Sequence, residues 1–66
     1  MTVKLIDFIN TVEFNERIDI FDDDDNAIFL GKKRDLLEKL YSSQILATKI
    51  ISTTMIIGST IVINVK

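Results

Sequence analysis

The chain has 66 residues, contains no Cys, His, Pro or Trp, and carries a formal net charge of −2. A chain of this length forms at most one domain, here expected to span residues 1–66, and it buries only roughly 60% of the surface that its unfolded form exposes. The absence of Cys and His excludes disulfides, thiolate nucleophiles and the usual zinc sites. Stability must therefore come from aliphatic packing or from self-association.

The charges are segregated along the chain. Residues 1–30 carry two basic and eight acidic side chains, whereas residues 31–66 carry six basic and two acidic ones. This asymmetry is compatible with an ordinary solvated surface. It is also compatible with a dipolar molecule that associates head to tail or presents an acidic face to a partner.

The first thirty residues predict a helix and then a β-hairpin. Apolar residues at intervals of three form the stripe of an amphipathic helix: Val3, Ile6, Ile9 and Val12. Thr2 is the candidate N-cap of this helix. The hydrophobic period changes to two in Arg17–Ile20, which predicts a strand with one solvated face. Asp22–Asn26 is typical of a turn, and Ala27–Leu30 is the expected return strand.

The middle of the chain predicts a second helix. Gly31 is expected to end the preceding strand, and Asp35 with Glu38 has the spacing of a capping box. The apolar residues that follow share one helical face: Leu36, Leu37, Leu40 and Tyr41. Ser42-Ser43 weakens the end of this helix.

The residues after Gln44 are rich in β-branched side chains, and Gly58-Ser59 divides them into a long strand and a short strand, Thr60–Val65. Two registers of the long strand are possible. The side chains that face the core are either Ile51, Thr53 and Met55 or Ile50, Ser52 and Thr54. Only 16 residues separate Lys49 from Lys66, whereas a membrane-spanning helix needs about 20. The segment is therefore expected to form sheet, and no membrane partner is predicted.

The element order α-β-β-α-β-β predicts an α+β fold with a four-stranded antiparallel sheet and two helices packed on one face. The other face is expected to expose an apolar patch of Val62, with Ile50 or Ile51 and with Ile56 or Ile57. Such a patch usually marks an interface. It would be buried by a homo-oligomer formed through the C-terminal hairpin or by a different protein partner, and the edge strands offer β-addition as a third route.

The acidic run is the first candidate site: Asp22, Asp23, Asp24 and Asp25. An EF-hand loop that began at Asp22 would place Ala27 where the loop needs Gly and Lys33 where it needs Glu. No metal site and no cofactor is therefore predicted. The run is expected to be a solvated hairpin tip, with protein binding as the functional alternative.

The basic cluster is the second candidate site, and its residues could bind nucleic acid: Lys32, Lys33, Arg34 and Lys39. It is not a P-loop, because Asn26 stands where that motif needs Gly and Lys33 stands where it needs Ser or Thr. Nucleic-acid binding also calls for aromatic side chains beside the basic residues, and most aromatics here occupy positions typical of a core. A nucleic-acid-binding protein is therefore the alternative hypothesis.

Catalysis has no candidate residues in this sequence. Acid–base catalysis needs paired titratable groups in a pocket that is partly shielded from water. No pair of carboxylate, Lys or Tyr side chains has a spacing in the sequence that is typical of such a site. The chain is expected not to be an enzyme.

Four segments together resemble small proteins of unassigned function that are encoded by phages and prophages of low-GC Gram-positive bacteria. These are an opening helix at Thr2–Asp7, an acidic hairpin at Ile18–Asp22, the pattern of Gly31, Asp35-Leu36 and Leu40, and a closing strand at Ile61–Val65. The resemblance implies a binding protein in the cytoplasm of a bacterial host. It favours an interaction or inhibitory module directed at a host protein, in which the acidic hairpin mimics nucleic acid.

Overall fold

The computed structural model describes residues 2–39 and 48–66, and the side chains of all of these except 37–39. The elements follow the predicted order and confirm the α+β class: α1 (Leu5–Ile9), β1 (Arg17–Phe21), β2 (Ala27–Lys32), α2 (Lys33–Lys39), β3 (Ile51–Ile57) and β4 (Thr60–Val65). Within the described ranges, no helix is long and apolar enough to cross a membrane.

The four strands form one mixed sheet in the order β2-β1-β4-β3. The two antiparallel pairs are the predicted hairpins, β1 with β2 and β3 with β4. The inner strands β1 and β4 are parallel, with Ile18 beside Ile61 and Ile20 beside Ile63. The prediction of a fully antiparallel sheet is therefore wrong. A tight turn fixes the direction of each hairpin, but the pairing of β1 with β4 depends on tertiary packing that no local signal reports.

The hydrophobic core lies on one face of this sheet. Leu5 and Ile9 of α1 and Leu36 of α2 belong to the same buried cluster as the inward side chains of the strands. The remaining members of the cluster are Val12, Ile18, Ile20, Phe29, Ile63 and Val65. The opposite face of the sheet, named the outer face here, receives neither of the two helices.

Helix α1 is shorter than the apolar stripe predicts. It begins at Leu5, and Lys4, in place of Thr2, occupies the N-cap position without a side-chain hydrogen bond. Val3 is extended, 41% exposed, and accepts a hydrogen bond from the amide of Ile51 at 2.9 Å. Pairing with the start of β3 therefore replaces the first helical turn. At the other end, the amide of Val12 donates to the carbonyl of Ile9 at 3.1 Å, which tightens the chain after the helix.

Strand β2 continues through Gly31 and passes directly into α2 at Lys33, so the predicted strand end at Gly31 and helix start at Asp35 are both wrong. Gly31 has a φ of 154°, and a β-carbon there would lie 3.2 Å from the ring of Phe29. Glycine is therefore needed for the ring to pack over the strand. The predicted end of the second helix at Ser42-Ser43 lies outside the described residues. The long strand begins at Ile51 and not directly after Gln44, because Thr48 is helical and Ile50 forms only an isolated bridge with Lys4.

A β-bulge explains why the register of β3 is ambiguous in the sequence. Ile51 lies opposite Val65 and faces the core, but after the bulge Met55 lies opposite Val62 and faces outward. Neither candidate set is therefore inward over the whole strand, because the extra residue at the bulge changes the side on which later side chains lie. The hairpin closes at Gly58, whose φ of 62° fits the first position of a type II′ turn.

Candidate functional site: the outer face of the sheet

Strand pairing defines the side chains of the outer face. They are Arg17, Asp19 and Phe21 of β1, Leu30 and Lys32 of β2, Thr53, Met55 and Ile57 of β3, and Thr60, Val62 and Asn64 of β4. Directly opposite residues form rows across the sheet, and the central row reads Leu30, Asp19, Val62, Met55.

The outer face is apolar at its centre. Leu30, Met55 and Ile57 are 54%, 59% and 58% exposed, and Phe21 and Val62 are half-buried among them. No side chain from the described part of the chain packs over these three exposed residues. Contiguous apolar side chains of this size on one face are typical of a contact surface.

Asp19 is the polar residue at the centre of this apolar surface. Its side chain is only 20% exposed, and the Nε of Arg17 lies 3.5 Å from its Oδ1. That ion pair does not have hydrogen-bond geometry, and Oδ1 has no hydrogen-bond partner in the described residues. A carboxylate oxygen that is shielded from water and lacks a donor is costly, so Asp19 is suited to accept a hydrogen bond from a bound partner.

The acidic turn, Asp22–Asp25, adjoins one end of the outer face, because it follows Phe21 directly. Asp22 has a structural role there: its Oδ1 accepts hydrogen bonds from the amides of Asp24 and Asn26, both at 2.9 Å. Asp25 has a φ of 61°, a conformation that Asp tolerates in turns. Asp23, Asp24 and Asp25 are exposed, so three carboxylates stay available for a partner.

The electrostatics of the turn follow from these hydrogen bonds. The pKa of Asp22 lies below its usual range, chiefly because its carboxylate accepts the backbone hydrogen bond of Asn26. Loss of water contact acts in the opposite direction, while the amide of Asp24, the side chain of Asn26 and the charge of Lys49 lower the pKa further. In the described parts of the chain, no group of three or more acidic side chains is arranged to hold a metal ion.

The basic cluster does not form one open surface. Lys33 is half-buried, and its Nζ donates to the carbonyl oxygen of Val12 at 2.6 Å. Lys32 lies on the outer face opposite Arg17, and Arg34 is exposed at the start of α2. The side chain of Lys39 lies outside the described residues. Lys33 therefore holds the loop after α1, and its ammonium group is not part of an open basic surface.

Phe14 is an exception to the expectation that most aromatics occupy core positions. Its side chain is 55% exposed, and its carbonyl accepts the amide of Arg34 at 3.2 Å. This backbone hydrogen bond places an exposed aromatic residue beside a basic one. The polar residues on both sides of it, Glu13 and Asn15, are the signal in the sequence that could have indicated exposure.

The predicted apolar patch is right in part. Val62 and Ile57 lie on the outer face, whereas Ile51 faces the core opposite Val65. Ile50 precedes β3 and forms an isolated bridge with Lys4. Ile56 is 73% exposed but lies on the core side of β3, opposite Ile61.

Three large apolar side chains of the outer face are missing from the predicted patch: Phe21, Leu30 and Met55. The period of two in β1 already indicates that Phe21 lies on the same side as Asp19, because Ile18 and Ile20 alternate with them. Leu30 follows from the pairing of β2 with β1. Met55 depends on the bulge, which the sequence does not reveal.

No protein-family model matches the chain, and the comparisons with curated proteins and with solved structures found no match either.

Proposed function

We propose that this chain is a non-enzymatic protein-binding module whose contact surface is the outer face of the sheet together with the acidic turn. The observation that carries the proposal is the exposure of Leu30, Met55 and Ile57 on a sheet face that the two helices leave open. Burial of such side chains supplies roughly 25 cal/mol for each Å² of apolar surface removed from water.

The distribution of polarity on the outer face supports this proposal. The apolar centre has charged residues at both ends, the acidic turn beyond Phe21 and the pair Arg17 and Lys32 at the start of β1 and the end of β2. Protein interfaces commonly combine an apolar centre with a polar rim. The rim charges would govern the rate of association and its dependence on salt, and the centre would supply most of the affinity.

Asp19 indicates which chemical group the partner supplies at the centre of the contact. Its Oδ1 has no donor in the described residues and lies in the row between Leu30 and Val62. A partner with an Arg, Lys or backbone amide at the centre of an apolar contact would supply that donor. Charged hydrogen bonds in partly dry surroundings are stronger than neutral ones.

The resemblance to phage and prophage proteins suggests a host protein as the partner. The proposed action is inhibition, with the exposed carboxylates of Asp23, Asp24 and Asp25 occupying a site that normally binds nucleic acid. Three negative charges in one short turn would bind a basic cleft, and salt would weaken that binding.

The central test is capture from the lysate of a low-GC Gram-positive host, followed by titration of the purified partner. Leu30→Lys should weaken binding by about tenfold or more, because it places a charge in the apolar centre. Its fold should persist, since the new ammonium group faces Asp19. Val3→Lys is the matched control, because Val3 is also exposed but lies off the outer face. Equal loss of binding in both variants would contradict the proposal.

The contribution of the acidic turn is tested separately. Replacing Asp23, Asp24 and Asp25 with Asn, while keeping Asp22 for the turn, should reduce the salt dependence of binding and lower the association rate. Retention of the same partner with unchanged affinity and salt dependence would eliminate mimicry of nucleic acid, while leaving the role of the apolar face intact.

A second candidate function is nucleic-acid binding, and the exposure of Phe14 next to Arg34 is the observation that favours it. An aromatic ring can stack on a base while a guanidinium group contacts phosphate. A gel shift with single-stranded DNA or RNA at low salt should then be lost in Phe14→Ala and in Arg34→Gln. Absence of any shift of the unaltered protein would exclude this function.

A further inference from the structure

We propose that a second copy of this chain pairs with the outward edge of β3, antiparallel and with a two-fold axis at Met55, so that two four-stranded sheets become one of eight strands. The surface involved is the strand edge and not the outer face. The inference therefore does not rest on the proposed function.

Strand β3 is an edge of the sheet, and the start of that edge already pairs with an antiparallel segment. The amide of Leu5 donates to the carbonyl of Lys49 and the amide of Ile51 donates to the carbonyl of Val3, both at 2.9 Å. The edge of β3 is therefore paired with another segment at its beginning. Beyond Ile51, its outward backbone groups have no hydrogen-bond partner among the described residues.

The pairing with β4 shows which groups point outward. Thr53, Met55 and Ile57 lie opposite Asn64, Val62 and Thr60, and the two-residue turn closes with the pair of Ile57 and Thr60. In an antiparallel ladder, residues that exchange hydrogen bonds alternate with residues whose N–H and C=O point the other way. Thr54 and Ile56 therefore direct their backbone groups away from β4, toward the open edge.

These outward groups are complementary to those of a second copy. With the axis at Met55, Thr54 of each copy pairs with Ile56 of the other, and the two pairs make four backbone hydrogen bonds. Thr53 then lies opposite Ile57. The open stretch runs from Ser52, after the segment paired with Val3, to the turn at Gly58, and Met55 lies midway between its two outward-directed residues, Thr54 and Ile56.

The side chains fit the same arrangement. An open groove of about 450 Å³ lies beside the strand on its core side, lined by Phe8, Thr54, Met55, Ile56 and Ile61. Ile56 is 73% exposed on that side. In the pairing described, Ile56 of the second copy lies next to Thr54 and can fill the groove, so that both copies bury their most exposed apolar side chain.

Charge favours a second copy over other occupants and antiparallel over parallel pairing. The strand Ile51–Ile57 contains neither a charged residue nor Pro, the features that usually protect an exposed edge. An antiparallel arrangement keeps the two acidic turns at opposite ends of the extended sheet. The other edge of the sheet, β2, ends in Lys32 and is less suited to pairing with itself.

Sedimentation equilibrium of the full chain tests this inference. The unaltered protein should show twice the 7.5 kDa mass of one chain. Ile56→Lys should weaken the dimer by about tenfold or more, since a charge would enter the apolar groove. Leu30→Lys, which alters the outer face and the proposed partner site, should leave the dimer unchanged. A monomeric unaltered protein at millimolar concentration, or equal dissociation in both variants, would overturn the inference.

Single cysteines test the register, because the chain has no native Cys. The axis at Met55 brings the two copies of residue 55 opposite each other, within the Cα separation of about 4.4–6.8 Å that a disulfide allows. Met55→Cys should therefore cross-link rapidly under mild oxidation. Ile57→Cys, equally exposed on the same face, lies opposite Thr53 and should not. Equal cross-linking of the two variants would contradict this register.

Discussion

Gly31 shows how a single position supports the fold. Its φ of 154° is one that other residues rarely adopt, and a β-carbon would lie 3.2 Å from the Phe29 ring. Gly31→Ala should lower the free energy of unfolding by about 1–3 kcal/mol, because backbone strain adds to displacement of the ring. Urea denaturation measures this loss. Gly58 also has a positive φ, 62°, but a β-carbon there meets nothing within 4 Å, so Gly58→Ala is the control that adds backbone strain without a ring contact and should cost less. Equal losses would show that the ring contact is unimportant.

Asp22 makes stability depend on pH. The pKa of Asp22 is lower in the folded protein than the unfolded value of about 3.9. The carboxylate therefore contributes to the free energy of unfolding at neutral pH, and this contribution is lost as the pH falls through the folded pKa. The urea midpoint of the unaltered protein should therefore fall on acidification below about pH 4. Asp22→Asn keeps an acceptor for the amides but cannot titrate, and it should show a smaller decrease. A decrease equal to that of the unaltered protein would assign the acid sensitivity to other carboxylates.

Lys33 connects two elements, the loop after α1 and the start of α2. Its Nζ donates to the carbonyl of Val12 at 2.6 Å from a partly buried position. Lys33→Met should therefore lower the free energy of unfolding by about 1–2 kcal/mol, since the carbonyl loses a charged donor. Lys32→Met is the matched control and should change stability little, because Lys32 is exposed. Thermal or urea unfolding of the two variants measures these changes. Equal stability of both variants would contradict a structural role of Lys33 and would favour a side chain that is free to bind phosphate.

The order and type of the elements could be predicted from the sequence, because each depends on local periodicity. Ile18 and Ile20 alternate with Arg17 and Asp19, and this pattern identifies β1 and its two faces. The parallel contact between β1 and β4 could not be predicted, since it joins strands that are distant in the chain and have no connecting turn. The start of α1 was mispredicted for a similar reason: Val3 pairs with Ile51, and tertiary pairing outweighs helical periodicity.

The candidate site was predictable to the same limited degree. An apolar face opposite the helices follows from the fold class, and Val62 follows from the alternation in β4. The bulge between Ile51 and Thr53 determines that Met55 faces outward, and nothing in the run of β-branched residues marks its place. The structural role of Lys33 within the basic cluster could not be predicted from the sequence either, because it depends on a hydrogen bond to Val12, which is distant in the chain.

At the scale of the whole molecule, the described residues present three candidate surfaces: the outer face, the edge of β3, and the region of Phe14 and Arg34. Met55 and Ile57 of β3 belong to both the outer face and the paired edge, so the proposals are tested apart at Leu30 on β2 and at Ile56 on the core side of β3. A partner bound to the outer face leaves Phe14 exposed, and a dimer formed through β3 leaves Leu30 exposed. Binding at each surface should therefore shield a different set of side chains from solvent.

Hydroxyl-radical footprinting of the chain with its captured and purified protein partner distinguishes these surfaces, because it reports the exposure of individual side chains. Relative to the chain alone at the same concentration, Leu30 and Phe21 should be protected from oxidation in the complex, and Phe14 should react as before. Protection of Phe14 with unchanged reactivity of Leu30 and Phe21 would contradict the assignment of the outer face as the binding surface.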